Sequence, residues 1–137
     1  MKLAELIKGL KGTKEMEVNR ADLASHSGNI GADVLSTSRI ILLMEQAARD
    51  TIEGCLPEGK ITVGTSINMK HFAATPVGMK VRAEAELKEV DGRKLLFEIN
   101  VFDELEKVSE GTNERYIISL KSFKEKLEKK ISGEQSD

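Results

Sequence analysis

Residues 39–54, RIILLMEQAARDTIEG, decide the fold, because this stretch is rich in helix-forming residues and apolar on nearly every side. An apolar surface this wide predicts a largely buried helix of about four turns. Ser36, Thr37 and Ser38 precede it and are candidate N-caps, while Gly54 stands where the helix should end. A helix of this kind needs a partner on most sides, so the rest of the chain must curve around it.

Beyond residue 61 the apolar period changes from helical spacing to two, which indicates strands. In residues 79–87, MKVRAEAEL, every odd position is apolar and every even position is charged, the strongest strand pattern in the chain. Asp91-Gly92 predicts a two-residue hairpin turn. Further strands are predicted at 14–19, 61–71, 95–102 and around 113–120. The order of strand, helix and four antiparallel strands predicts an α+β domain.

The two ends of the chain carry weaker patterns. Leu3, Ile7 and Leu10 have helical spacing and predict one or two helical turns within residues 2–10, and residues 21–33, ADLASHSGNIGAD, predict a polar loop. Residues 1–137 are expected to form a single domain, in which about 124–137 are a solvated, partly disordered tail.

Composition excludes several classes of function. Twenty-one basic and 23 acidic residues give a net charge of −2, which argues against nucleic-acid and membrane-surface binding. The longest aliphatic run, residues 40–44, is far too short to span a bilayer, and Glu5 interrupts any signal-peptide core. One cysteine, Cys55, and two histidines predict neither a disulfide nor a metal site. A cytoplasmic location is therefore expected.

Glu45 and His71 are the candidates for chemistry. Glu45 is the only charge in the nine residues IILLMEQAA, and burying a carboxylate is costly unless it is paired, either with Arg49 one turn on or within a catalytic site. Strand alternation places His71 on the face of Ile67 and Met69, where it could meet Glu45 and move a proton from water. The alternative is a core histidine bonded to backbone.

Three further residues have both a structural and a functional interpretation. Thr37 is an N-cap or a site hydroxyl; inside a regular helix it would lie about 12 Å from Glu45. Three arrangements then remain. A bent first turn brings the two together, or they serve different ends of a substrate, or one of them acts across a subunit boundary. Gly64 interrupts a good strand, as a bulge or as a close approach to a ligand. Arg115 is a surface charge or an anion-binding group.

Four segments together resemble the fluoroacetyl-CoA thioesterase-like branch of the hotdog thioesterases. They are VLSTSRIILLMEQAA (34–48), ITVGTSINMKHFAATPVGM (61–79), AEAELKEVDGRKLLFEINVFDE (83–104) and GTNERYIISLKSF (111–123), in the same order and spacing. The resemblance implies a hotdog fold, an antiparallel sheet wrapped around one long helix, and hydrolysis of a short acyl-CoA thioester. It also implies a homodimer, or a dimer of dimers, and no cofactor, since coenzyme A belongs to the substrate.

The same resemblance assigns the site residues. It implies that Thr37, Glu45 and His71 are catalytic and that Gly64 and Arg115 lie at the bound substrate. Two departures concern the substrate: Asn113 stands where relatives often have histidine, and residues 25–33 contain no aromatic side chain. They leave two alternatives open, a non-catalytic acyl-CoA binder and another hotdog reaction such as dehydration of a hydroxyacyl thioester.

Overall fold

Five antiparallel strands form one sheet, and a long helix packs on one of its faces. The structure is a computed structural model and describes residues 4–133. Its elements are β1 (Lys11–Glu17), α1 (Thr37–Thr51), β2 (Lys60–His71), β3 (Lys80–Asp91), β4 (Lys94–Phe102), β5 (Lys107–Ser119) and α2 (Leu120–Ser132), with one turn of 3-10 helix at Arg20–Asp22. The strand order is β1-β3-β4-β5-β2, so β1 and β2 are the two edges. The predicted α+β class is confirmed.

Helix α1 begins directly after a capping serine. The Ser36 side chain accepts a hydrogen bond from the Arg39 backbone N–H at 3.1 Å, so Ser36 is the N-cap and Thr37 is the first helical residue. One side of the helix is buried, through Ile40, Leu43, Met44, Ala47, Ala48 and Thr51. The helix was predicted to be buried on most faces, but within one chain part of its apolar surface is open, since Leu42 is 42% exposed.

The inner face of the sheet supplies the other half of the core. Alternate residues of β3 and β4 point to the helix and are buried: Val81, Ala83, Ala85, Leu87, Leu95, Phe97, Ile99 and Val101. Asp91 pairs with Lys94, so the hairpin turn is Gly92-Arg93, one residue later than predicted. Gly92 has φ +59°, a left-handed conformation that glycine adopts at little cost.

The N-terminal segment is not helical where the structure describes it, in residues 4–10. Its backbone bonds to distant parts of the chain: Ala4 N–H donates to Gly54 O at 3.1 Å, and Gly9 N–H donates to Leu87 O at 2.8 Å. The helix prediction for this part is wrong because so short a segment cannot offset the cost of helix nucleation, whereas these tertiary bonds satisfy its backbone. Strand β1 correspondingly starts three residues earlier than predicted.

Helix α2 follows β5 without a break. The Ser119 side chain caps it by accepting from the Ser122 N–H at 3.3 Å, and Gly133 ends it at φ +82°. Every residue from Lys121 to Gly133 is exposed, and residues 120–132 form a regular helix. The predicted disorder falls at 134–137, outside the described residues.

Candidate active site

Strand β2 changes face at a β-bulge. Its register against β5 shifts between Gly64 and Ser66, so Thr65 is an extra residue in the ladder. Simple alternation predicts the odd positions of 61–71 on one face, and this holds for Ile67 to His71. Before the bulge the even positions face inward instead, which is why Thr62 and Gly64 join the site.

Glu45 and Arg115 form the first of two polar clusters. The Nη1 group of Arg115 donates to Glu45 Oε2 at 3.1 Å, with the Arg115 side chain only 3% exposed and that of Glu45 30% exposed. Burial lowers the pKa of Arg115, and the Glu45 carboxylate acts against that shift by stabilising the cation. Glu45 on α1 thus pairs with Arg115 on β5, and no ion pair joins it to Arg49 within residues 4–133. The sequence alternative of an i,i+4 pair is wrong.

Gly64 lets this ion pair lie against the strand. A Cβ atom at residue 64 would lie 2.7 Å from Glu45 Oε2 and 3.2 Å from Arg115 Nη1. Gly64 therefore stands beside the bulge, as one interpretation expected, and its close approach is to the side chains of Glu45 and Arg115. No other residue type would leave the carboxylate where it is.

Thr62 and Asn113 complete the surroundings of Arg115. Arg115 Nε donates to Thr62 Oγ1 at 3.0 Å and Nη2 to Thr62 O at 3.2 Å. Its Nη1 also donates to Asn113 Oδ1 at 3.2 Å, while Asn113 Nδ2 donates to Ser66 O in the bulge at 3.0 Å. Sequence analysis gave neither residue this role. Alternation along β5 could have placed Asn113 on the same face as Arg115. No sequence pattern indicates that Thr62 contacts Arg115 or Asn113.

Thr37 and His71 form the second cluster, at the other end of α1 and β2. Thr37 Oγ1 and His71 Nδ1 are 2.7 Å apart, a short hydrogen bond that fixes the plane of the imidazole ring. The other ring nitrogen, Nε2, is buried and has no hydrogen-bond partner among residues 4–133. A buried, unpaired imidazole nitrogen is costly in a purely structural role. It is suited to a bound water or substrate atom.

The two clusters do not meet within one chain. Thr37 is the first residue of a regular helix, so eight residues separate it from Glu45, about 12 Å along the axis. No hydrogen bond joins Glu45 to His71 in the described part of the chain, and the expectation that one chain brings them together is not met. The bent first turn is excluded. Two of the arrangements expected from the sequence remain, in which Thr37 and Glu45 serve different ends of a substrate or one acts across a subunit boundary.

Other candidates take no part. His26 is exposed in the loop after the 3-10 turn, and Cys55 is buried beside the backbone of Glu5, with Sγ 3.8 Å from its carbonyl oxygen. Between residues 4 and 133 no three His, Cys, Asp or Glu side chains converge to form a possible metal site. Over the same range no helix has the length and apolar character needed to cross a membrane.

Comparison with solved structures identifies the fold. A hot-dog-like protein from Thermanaerovibrio acidaminovorans superposes with a TM-score of 0.83 at 20% identity, over 90% of this chain and 91% of that one. The fluoroacetyl-CoA thioesterase FlK superposes with a TM-score of 0.85 at 30% identity, over 93% of this chain and 98% of that one. A variant of FlK has also been solved in complex with fluoroacetate and CoA. The protein is thus a hotdog-fold protein of the thioesterase class.

Sequence comparison gives the family. The model of the fluoroacetyl-CoA-specific thioesterase family matches residues 18–121. The fluoroacetyl-CoA thioesterase of Streptantibioticus cattleyicolor is 36% identical over 98 residues, which are 72% of this chain and 70% of that protein. This chain belongs to the fluoroacetyl-CoA-specific thioesterase family, and the family resemblance and hotdog fold expected from the sequence are confirmed.

Proposed function

We propose that this protein hydrolyses short acyl-CoA thioesters to the free acid and coenzyme A, in the cytoplasm and as a homodimer. Membership of a thioesterase family supports the reaction. The observation that carries the proposal is His71, whose Nδ1 is held by Thr37 while its buried Nε2 has no partner in residues 4–133. A ring so placed can take a proton from water and return it to a leaving group.

The dimer would form along β2. This edge strand is twelve residues long, and an unpaired edge of this length invites pairing with a second copy. Leu42 and Phe72, on α1 and just after β2, are 42% and 51% exposed and offer apolar surface beside it. Antiparallel pairing about a two-fold axis places the His71 end of one copy beside the Thr62 end of the other. The separated clusters of two chains would then adjoin.

In the site so formed, His71 from one copy and Glu45 from the other would face one thioester. Water attacks the carbonyl carbon as its proton moves to His71 Nε2, the C–S bond breaks, and the coenzyme A thiolate takes that proton. Glu45, paired with Arg115, would stabilise the imidazolium. The backbone N–H of Gly64, next to the bulge, would stabilise the oxyanion.

A second route uses the same residues in two steps. Glu45 attacks the thioester carbonyl, coenzyme A leaves, and water activated by His71 hydrolyses the resulting mixed anhydride. The Glu45 carboxylate fits this role because only its Oε2 is engaged, by Arg115, among the hydrogen bonds of the described residues. In both routes Thr37 acts by fixing His71, not by contacting Glu45.

The acyl group would be small, without strong selection for fluorine. FlK relatives are named for fluoroacetyl-CoA. In this chain the loop before α1, SHSGNIGAD at residues 25–33, offers no aromatic side chain to close over the acyl group. We therefore expect acetyl-CoA and fluoroacetyl-CoA to be turned over with little discrimination, and without any added cofactor.

Free-thiol release from acetyl-, fluoroacetyl-, malonyl-, butyryl- and phenylacetyl-CoA tests the proposal, with Glu45→Ala and His71→Ala beside the wild type. We expect turnover of at least one ester, reduced about a hundredfold or more by either substitution. Full activity of Glu45→Ala would disprove the mechanism. Binding of acyl-CoA by calorimetry without turnover would instead support the non-catalytic binder, and a new double bond in a hydroxyacyl substrate would support dehydration.

The same assay separates the two routes. If Glu45 is acylated, His71→Ala should release one equivalent of coenzyme A per site in a rapid burst and then stall, with the acyl group found on Glu45 by mass spectrometry. If water attacks directly, the variant should show no burst. Light scattering tests the dimer, which should have about twice the 15.1 kDa mass of one chain.

A further inference from the structure

Ser109 carries a buried hydroxyl on the inner face of the sheet, and the proposed mechanism does not use it. It lies on β5, is completely buried at 0% exposure, and its Oγ has no hydrogen-bond partner within residues 4–133. An unsatisfied buried hydroxyl costs stability, and most such groups in native proteins have a partner. In this position a valine or an alanine would pack without that cost.

The position of Ser109 relative to His71 suggests its role. The two residues are direct partners in the β2–β5 ladder, so their side chains project from the same face of the sheet. That face is the inner one, since Ile67 and Met69 on the same side of β2 pack against the core. Cβ atoms of such partners are about 5 Å apart, so the Ser109 hydroxyl and the His71 ring are near neighbours.

A second observation points to the same place. The described residues contain two buried, unpartnered polar atoms on this pair of facing positions, His71 Nε2 and Ser109 Oγ. Nδ1 of the ring is already taken by Thr37, so only Nε2 can turn to Ser109. One water bonded to both atoms would satisfy two unpaired groups on directly paired residues.

We propose that Ser109 is a positioning residue for the hydrolytic water, held between its Oγ and His71 Nε2. One water hydrogen is donated to Nε2 and is the proton that is transferred. The other is donated to Ser109 Oγ, which leaves a lone pair of the water oxygen free to attack the acyl carbon. Ser109 itself gains and loses no proton and forms no covalent bond. The inference rests on the proposed function, because it places Ser109 in the site of His71.

The test compares Ser109→Ala with Ser109→Thr, which keeps the hydroxyl. We expect Ser109→Ala to lower kcat about tenfold with KM within about twofold of the wild type, since the hydroxyl orients the water and does not bind the ester. Ser109→Thr should retain most of kcat. The melting temperature of Ser109→Ala should show that the variant is folded, so that its loss of kcat does not reflect unfolding.

Thr51→Val is the matched control, because Thr51 also carries a buried hydroxyl but bonds it to Ala47 O at 2.8 Å, far from His71. It should lower the melting temperature and leave kcat unchanged. An unchanged kcat in Ser109→Ala, or equal losses in Ser109→Ala and Ser109→Thr, would overturn the role of Ser109 while leaving the proposed hydrolysis intact.

A measurement independent of turnover separates failure of the inference from failure of the function. The 15N chemical shift of His71 Nε2, followed by NMR at fixed pH, should differ between wild type and Ser109→Ala, because the shared water changes the hydrogen bonding of that nitrogen. Identical shifts in the two proteins would contradict the shared water, whether or not any acyl-CoA is hydrolysed. If no ester is hydrolysed but the shifts differ, the proposed hydrolysis fails and the shared water stands.

Discussion

At the scale of single residues, the site depends on one buried guanidinium. Arg115 is held by Thr62, Asn113 and Glu45 together, and each contact limits where the Glu45 carboxylate can lie. The sequence predicted Glu45 and Arg115 as functional residues but not their pairing. Seventy residues separate them, and Arg115 lies under the helix because it pairs with the buried Leu95 of β4 on the inner face of the sheet. No local pattern encodes that contact.

Replacing Asn113 should disturb this arrangement without unfolding the protein. In Asn113→Asp a second carboxylate would compete with Glu45 for Arg115. The substitution would also remove the hydrogen bond from Asn113 Nδ2 to Ser66 O. We expect kcat to fall about tenfold, because the second carboxylate would draw Arg115 away from Glu45 and let the Glu45 carboxylate move. Steady-state kinetics measures the effect. Asn100→Ala, on the neighbouring strand, is the control, and an unchanged kcat in Asn113→Asp would contradict this role.

The Glu45–Arg115 pair should also give a measurable coupling energy in the free energy of unfolding. Glu45→Gln leaves the buried Arg115 without a charged partner, and Arg115→Met leaves the carboxylate without its cation. Each single change should cost about 1–3 kcal/mol, reduced at Glu45 by its partial exposure, and the double variant should cost about 1 kcal/mol less than their sum. Urea unfolding of the four proteins gives the cycle; strictly additive costs would mean the contact contributes nothing.

At the scale of elements, the bulge in β2 matters more to the site than the strand itself. Alternation predicted the strand and its inward face from Ile67 to His71, and Gly64 marked the place where alternation breaks. The alternation did not show that the even positions before the break face inward, because the effect of a one-residue insertion depends on how β2 pairs with β5. Thr62 was therefore assigned to the wrong face.

Gly64→Ala tests this element. The added Cβ would meet Glu45 Oε2 at 2.7 Å, and the carboxylate would have to move away. We expect kcat/KM to fall about a hundredfold, since small displacements of a reacting group are costly, with a loss of stability under about 1 kcal/mol because a partly exposed side chain can adjust. Ser66→Ala, on the opposite face, should behave as wild type. Near-normal activity in Gly64→Ala would contradict the placement of Glu45.

Helix α2 is the element that the site does not need. From Lys124 onward every described residue is exposed. A chain ending after Phe123 should therefore unfold within about 0.5 kcal/mol of the full chain and keep its turnover. Chemical denaturation and thiol release together measure this. A marked loss of either property would show that α2 packs against the second copy.

At the scale of the whole molecule, one chain holds two separate polar clusters, which we propose are the halves of one shared site. The sequence predicted the class of fold, the helix and the residues of both halves. It could not tell that Thr37 belongs with His71 and Glu45 with Arg115, because this depends on which end of α1 each strand crosses. The hydrogen bonds of the structure show both pairings. The exposed edge of β2 supplies the route by which two chains would join their halves.

Subunit complementation tests that central claim most directly. Glu45→Ala and His71→Ala proteins, each inactive alone, would be unfolded together in equal amounts and refolded as a mixture. If the two residues act across the interface, half of the dimers are mixed and each has one intact site, so about a quarter of wild-type thiol release should return. Mixed dimers that form, as shown by differently tagged chains, yet release no thiol would contradict a site shared between two copies.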